Sequence, residues 1–314
     1  MRVFVTVILL GTVLLKGLAA QDTPEEAAQK AYLANINALM VFTSKDGLNS
    51  GIYEFTRANA TMKILHVPFR YQFDPFRDGW NLFLVGGGGY SETEMTSDIN
   101  GSISPTDGTI QLTTTNMLQT YTGGIGGGVR YRNDTGIEFY TGLELIYSRV
   151  GVTNRDSNGA GEIVDDFFKG QYNDNLSYKF FLLTEYQKEY FGFKPYVKLS
   201  YELYETKSAI SFEQLSKFTS QTNVTSFAVG SETPPVVSYD GMYLTLEGYL
   251  RGSYLGGDIT RAAKFDGYGT VGWIAYWYVA ETMNYFKRFY LEVSTIQADG
   301  LRGYNVGIGF NFQD

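Results

Sequence analysis

The segment Gly303-Tyr304-Asn305-Val306-Gly307-Ile308-Gly309-Phe310-Asn311-Phe312 alternates without exception. Tyr304, Val306, Ile308, Phe310 and Phe312 fall on one face, and Asn and Gly on the other. A period of two belongs to a strand whose side chains point to opposite faces in turn. One face is fit for lipid and the other for water, and the same pattern recurs along most of the chain. In hydrocarbon every backbone N–H and C=O has to be satisfied within the protein, so strands that meet lipid must close on themselves. The expectation is an all-β fold, a transmembrane antiparallel up-and-down β-barrel.

Composition agrees with that expectation. Mean hydropathy is only -0.16, as it must be when every second residue is polar. The 25 Tyr and 22 Phe supply the aromatic girdles that barrels place at both membrane interfaces, and the absence of Cys suits an oxidising compartment. The net charge of -8 disfavours nucleic acid as a partner. The longest apolar stretches, such as Trp273–Ala280, are too short for a spanning helix.

At the N-terminus, Arg2 precedes the apolar run Val3–Leu15 and then Gly17-Leu18-Ala19-Ala20. This predicts a signal peptide over residues 1–20, with Lys16 an unusual charge between the run and the cleavage site. No Cys follows, so lipoprotein-type acylation is not expected. Residues 21–48 hold the one predicted helix. Thr23 caps it, Pro24 opens it, Glu25 and Glu26 sit in its first turn, and Ala28, Ala31, Tyr32, Ile36 and Leu39 form an apolar stripe. From residue 49 to 314 the period is two.

Twelve strands are predicted: Gly51–Thr56, Lys63–Phe73, Trp80–Tyr90, Met117–Arg132, Gly136–Ser148, Leu176–Tyr190, Lys194–Tyr204, Asn223–Val229, Met242–Tyr254, Thr270–Ala280, Arg288–Thr295 and Gly303–Phe312. Asn223–Val229 has the weakest pattern, and the count falls to ten if it is loop. Short turns alternate with long polar connections, Ser91–Asn116, Arg149–Asn175 and Glu205–Thr222 among them. The short turns are expected at the periplasm and the long loops outside.

Outward sets such as Leu65, Val67, Phe69, Tyr71 and Phe73 hold no charge. The inward sets collect His66, Arg70, Arg130, Arg132, Glu138, Glu144, Lys179, Glu185, Lys198, Glu202, Glu247, Arg251 and Glu292. Two readings fit this lumen: a network of acids and bases that satisfies itself across strands, or a selectivity lining for an aqueous path. Seven glycines also face inward: Gly87, Gly89, Gly124, Gly126, Gly128, Gly307 and Gly309. They either form a trough on which the N-terminal helix docks as a plug, or relieve crowding in a strongly curved wall.

No catalytic, cofactor or metal site is expected. His66 is the only histidine, faces the lumen and has no serine at its height in the core of the first or third strand. Barrel enzymes acting on lipids stay a weaker alternative. Gly123–Gly128 lies within a strand and opens no helix, so it is not a phosphate loop. The Asn-X-Ser/Thr triplets at Asn59, Asn100, Asn133, Asn175 and Asn223 matter only in a eukaryotic secretory route. Asp165, Asp166 and Asp174 near Lys169 could hold a divalent cation against lipopolysaccharide, or be a solvated loop.

The periplasm-side helix, the strand number, the inward glycines, and the motifs Val67-Pro68-Phe69-Arg70-Tyr71-Gln72-Phe73, Trp80–Tyr90 and Gly303–Phe312 together resemble the translocator barrel of autotransporters. More narrowly, the chain resembles solitary, passenger-less versions of that barrel. The resemblance implies an outer-membrane protein delivered by the barrel insertion machinery, with Tyr304, Val306, Ile308, Phe310 and Phe312 as its C-terminal insertion signal; Gln313 and Asp314 extend past it. The few residues between signal and helix leave no room for a passenger. The implied roles are a narrow or helix-plugged pore for small solutes, or a non-conducting barrel that anchors or binds a periplasmic or surface protein partner. Outer-membrane lipid and lipopolysaccharide would surround it.

Overall fold

A computed structural model describes residues 48–57, 59–102, 109–156, 172–208, 219–263, 265–279 and 286–312. The predicted signal peptide and the helix over 23–41 lie outside the described residues. Thirteen strands run in chain order: β1 Leu48–Phe55, β2 Ala60–Arg77, β3 Trp80–Ser102, β4 Thr109–Arg132, β5 Ile137–Asp156, β6 Tyr172–Gln187 and β7 Lys194–Ser208 come first. They are followed by β8 Thr219–Glu232, β9 Val237–Tyr239, β10 Met242–Gly257, β11 Gly267–Tyr278, β12 Phe286–Ala298 and β13 Leu301–Phe312. A six-residue helix, α1, spans Asp258–Ala263 between β10 and β11.

Every neighbouring pair is antiparallel, β10 pairs with both β8 and β11, and β13 pairs with β1, from Leu48 opposite Ile308 to Phe55 opposite Leu301. The ring therefore closes with twelve strands, and β9 is a short addition that pairs only with the start of β10. Closure leaves no edge exposed to lipid, which is what the bilayer demands.

All twelve predicted strands are present, and the weakly patterned eighth is a full member of the ring, β8, flanked by β7 and β10. The tight turns follow their chemistry. Phe191-Gly192 and Asp240-Gly241 both adopt positive φ, at 53° and 82° and at 48° and 73°, the conformation of a two-residue hairpin turn. The connections expected to be loops need correction. Most of Ser91–Asn116 is strand, paired from Trp80 opposite Tyr131 out to Ser102 opposite Thr109. Likewise β5 and β6 run into the predicted loop Arg149–Asn175, and β7 and β8 into Glu205–Thr222. Beyond the bilayer both faces of a ribbon meet water, so the apolar alternation that marks a strand vanishes while backbone pairing persists.

The register fixes the faces. Outward residues include Leu65, Val67, Phe69, Leu143, Leu145, Leu199, Val293, Val306 and Ile308, each exposed where no solvent but lipid is available. Aromatics bound this band. Tyr147, Tyr178, Tyr254 and Tyr304 mark one rim, and Phe73, Trp80, Tyr131, Tyr186 and Trp277 the other. On β5, the ten residue steps from Ile137 to Tyr147 span about 26 Å at ~3.4 Å per residue and a tilt of ~40°, the height of an outer-membrane hydrocarbon band. The connections β2–β3, β4–β5, β6–β7, β8–β10 and β11–β12, with the start of β1 and the end of β13, share one end, the periplasmic one; the connections β3–β4, β5–β6, β7–β8 and α1, with the short β1–β2 and β12–β13 turns, share the other.

Candidate functional site: the barrel lumen

The register turns every lumen residue named from the sequence inward, in two tiers of different chemistry. The inner tier, toward the periplasm, is ionic. Arg130 donates to Glu138 at 2.9 Å and to Gln72 at 2.7 Å, and Arg132 lies 3.2 Å from the same carboxylate. Tyr140 donates to Glu138 as well, and its ring carries Arg70 and Arg130 at 5.6 and 5.5 Å. Next along the wall, Lys179 sits between Glu144 at 3.9 Å and Glu202 at 3.6 Å, and Lys198 lies 3.3 Å from Glu185.

Across the lumen a second cluster combines tyrosines with buried carboxylates. Glu247 accepts from Tyr196 at 2.7 Å and Tyr276 at 3.0 Å. Glu232 accepts from Thr245 and Tyr278 and lies 3.8 Å from Arg288. Arg288 stacks over Tyr276 at 4.0 Å and donates to Tyr278 and Asn311. Glu292 accepts from Tyr249, whose ring carries Arg251. Glu232 and Arg288 were not singled out in the sequence. Glu232 lies three residues past the predicted end of its strand, and the alternation of Tyr276 and Tyr278 was the available signal for this cluster.

Six inward glycines sit opposite aromatic rings. Phe83 pairs with Gly128, Phe181 with Gly142, Tyr196 with Gly230, Tyr249 with Gly272, Tyr290 with Gly309, and Tyr53 with Gly303. A Cβ on Gly309 would fall 2.4 Å from the Tyr290 ring, and one on Gly128 2.7 Å from Phe83. Glycine here seats a neighbour's ring flat against the wall, a cross-strand pairing that fixes register. Gly87 and Gly89 flank His66, and Gly124 and Gly126 flank Glu144. Gly307 stands opposite Glu292 in register. His66 itself faces Asn49 and Gly89, and its Nδ1 has no hydrogen-bond partner among the described residues. No group of three or more metal-ligating side chains occurs among the described residues. Asp174 is instead taken by Arg149 in a two-bond contact at 2.7 and 3.1 Å; Asp165, Asp166 and Lys169 lie outside the described residues.

The outer tier combines an apolar cluster with small buried hydroxyls and amides, among them Thr93, Thr120, Ser148, Ser177, Thr206 and Ser220. Tyr53, Phe55, Met62, Ile64, Leu118 and Ile146, with Val150, Tyr204, Val224, Leu255, Ile296 and Leu301, form one cluster drawn from strands around the ring. Ile259 of α1 and Phe265 after it complete this cluster from above, and the Phe265 ring stacks on Phe55 with centroids 6.3 Å apart. Ile259 is 1% exposed and Leu255 0%. The cap is tied down by polar contacts: Asp258 accepts from the Gln221 amide, Thr260 donates to the Gly257 carbonyl, and the Leu255 amide donates to the Asp266 carbonyl at 2.7 Å. The cluster draws on β1, β2, β4, β5, β7, β8, β10, β12 and β13, so it reaches around the whole ring.

A closed twelve-stranded barrel with a lipid-facing girdled exterior and a polar inner lumen is an integral protein of the bacterial outer membrane. No family model matches the chain, and no curated protein matches it. Solved structures do. The translocator domain of the autotransporter NalP from Neisseria meningitidis aligns with a TM-score of 0.57 at 12% identity, covering 92% of this chain and 98% of that one. The β-domain of the Bordetella autotransporter BrkA aligns at 0.54 and 12%, covering 84% and 96%. The transport unit of the autotransporter AIDA-I from Escherichia coli aligns at 0.51 and 11%, covering 93% and 100%. The chain has the autotransporter-type barrel fold.

Proposed function

We propose that this protein is a narrow outer-membrane pore for small polar solutes, closed at rest by an apolar cap at its outer end. The two-tier lumen carries the reading. A charged inner tier toward the periplasmic end supplies a polar path, while Phe55, Ile259 and Phe265 form a hydrophobic constriction of the kind that gates by dewetting. The cap belongs to a single connection, so its opening would break the Asp258–Gln221 and Leu255–Asp266 contacts and the Phe55–Phe265 stack but no strand pairing.

The test is ionic selectivity in a planar bilayer. Reversal potentials in a salt gradient, compared between the wild type and Lys198→Glu, should shift toward cation preference, because the Lys198 side chain is one-third exposed and its one ion pair among the described residues is with Glu185. An unchanged potential in a conducting variant removes the inner tier from the path.

A second reading is a non-conducting barrel that anchors or binds a surface partner. It is favoured by the pairing of inner acids with bases and tyrosines, which leaves the lumen able to serve as a core. The long β3–β4 ribbon would then present the contact surface, and persistent electrical silence from well-folded protein supports this reading over the pore.

A further inference from the structure

The lipid-facing wall is not uniformly filled. Where β8, β10, β11 and β12 adjoin, it opens into a cleft of about 480 Å³, within the ~300–1,000 Å³ range of small-ligand sites. Gly252 and Gly269, register partners on β10 and β11, form its floor. A Cβ on Gly252 would meet nothing within 4 Å, and one on Gly269 only a backbone oxygen at 3.8 Å. Phe227, Val229, Leu250 and Val271 rise around that floor on the outward face. Arg251 and Thr270, whose side chains point to the lumen, complete the lining from behind.

The cleft has a polar end. Thr295 and Gln297 border it on β12, and the register partner of Gln297 on β13 is Arg302. Arg302 is exposed on the outward face beside Glu54 and makes no ion pair among the described residues. One step inward on the same strand stands Tyr304, 71% exposed, and one step outward on β10 stands Tyr254, 60% exposed. Both are girdle residues. The cleft therefore lies where the hydrocarbon of the outer leaflet gives way to headgroups, with its apolar floor below and its cation at the headgroup level. An apolar hollow at that depth is filled by hydrocarbon, since water gains no partners there.

We propose that the Gly252–Gly269 cleft and Arg302 together form a binding site for a phosphorylated, acylated glycolipid of the outer leaflet. One acyl chain lies on the glycine floor and a headgroup phosphate meets the Arg302 guanidinium. The assignment is independent of whether the lumen conducts.

Native mass spectrometry of the refolded protein released from detergent micelles tests it, with hexa-acylated, bis-phosphorylated lipid A titrated against phosphatidylethanolamine. The wild type should retain a single lipid A in preference to phosphatidylethanolamine. Gly252→Leu should fill the floor and lower lipid A retention at least tenfold, and Arg302→Gln should lower it while leaving phosphatidylethanolamine unchanged. Gly123→Leu is the control: Gly123 on β4 faces lipid on another part of the wall and its Cβ would also meet nothing within 4 Å, so retention should stay at the wild-type level. Equal retention of the two lipids by the wild type overturns the proposal. So does undiminished lipid A on Gly252→Leu, or an equal loss on Gly123→Leu. Heat-modifiable gel mobility reports whether each variant folds, and should Gly252→Leu misfold, Arg302→Gln decides alone.

Discussion

Glu247, in the inner half of the lumen, takes two tyrosine hydroxyls, whereas Ile259, in the outer half, packs among the apolar side chains of the surrounding strands. The same strands carry both halves, so the difference lies only in which side chains occupy the inward positions at each height. Polar groups removed from bulk water must be paired or they cost stability, and the inner tier meets that requirement with hydroxyls and cations. The outer tier interleaves its apolar cluster with small hydroxyls and amides, such as Ser177 and Thr206, which bond to each other. A barrel can therefore be polar inside and still be closed where apolar side chains from around the ring meet at one height.

Four substitutions sharpen or break this contrast. The largest effect is expected from Arg288→Leu. It strips the cation from Glu232, whose side chain is 5% exposed, and should cost about 3–5 kcal/mol in urea unfolding of the micelle-bound protein. Phe265→Ala removes the ring that closes the outer tier. It should cost about 3 kcal/mol by the same assay, as truncating a buried Phe does, without altering the inner pairs. A cost near zero there would mean that the outer cluster is not a core. Tyr278→Phe deletes one hydroxyl that donates to Glu232 and accepts from Arg288, and about 1 kcal/mol is expected. The smallest effect belongs to Asp299→Asn, which breaks the exposed Arg57–Asp299 pair at the outer rim. Its loss should be below about 1 kcal/mol and should vanish in high salt.

The ring itself was legible because lipid imposes period two wherever a strand meets it. Thr270–Ala280 and Gly303–Phe312 read as strands from that alone, and the inward face of every named charge followed from parity. What the period did not carry lay outside the bilayer. The paired extensions of β3 and β4 read as loop because water on both faces erases the alternation. The helix α1 gives no periodic signal in its six residues, and Phe265 lies between the predicted strands Met242–Tyr254 and Thr270–Ala280, where no period marks it and only the ring stacked on Phe55 shows its place. The glycines were read for the space they leave; that the space belongs to the paired ring, Tyr290 opposite Gly309 for example, required the register.

Single-channel conductance of the refolded protein, compared between the wild type and an Ile259→Ala/Phe265→Ala double variant, tests the two-tier lumen most directly. The wild type should be closed for most of the record with brief openings, and the double variant should show long-lived openings through an otherwise folded barrel. A wild type that stands open, or a folded double variant that is no more open than the wild type, would contradict the apolar cap as the closure.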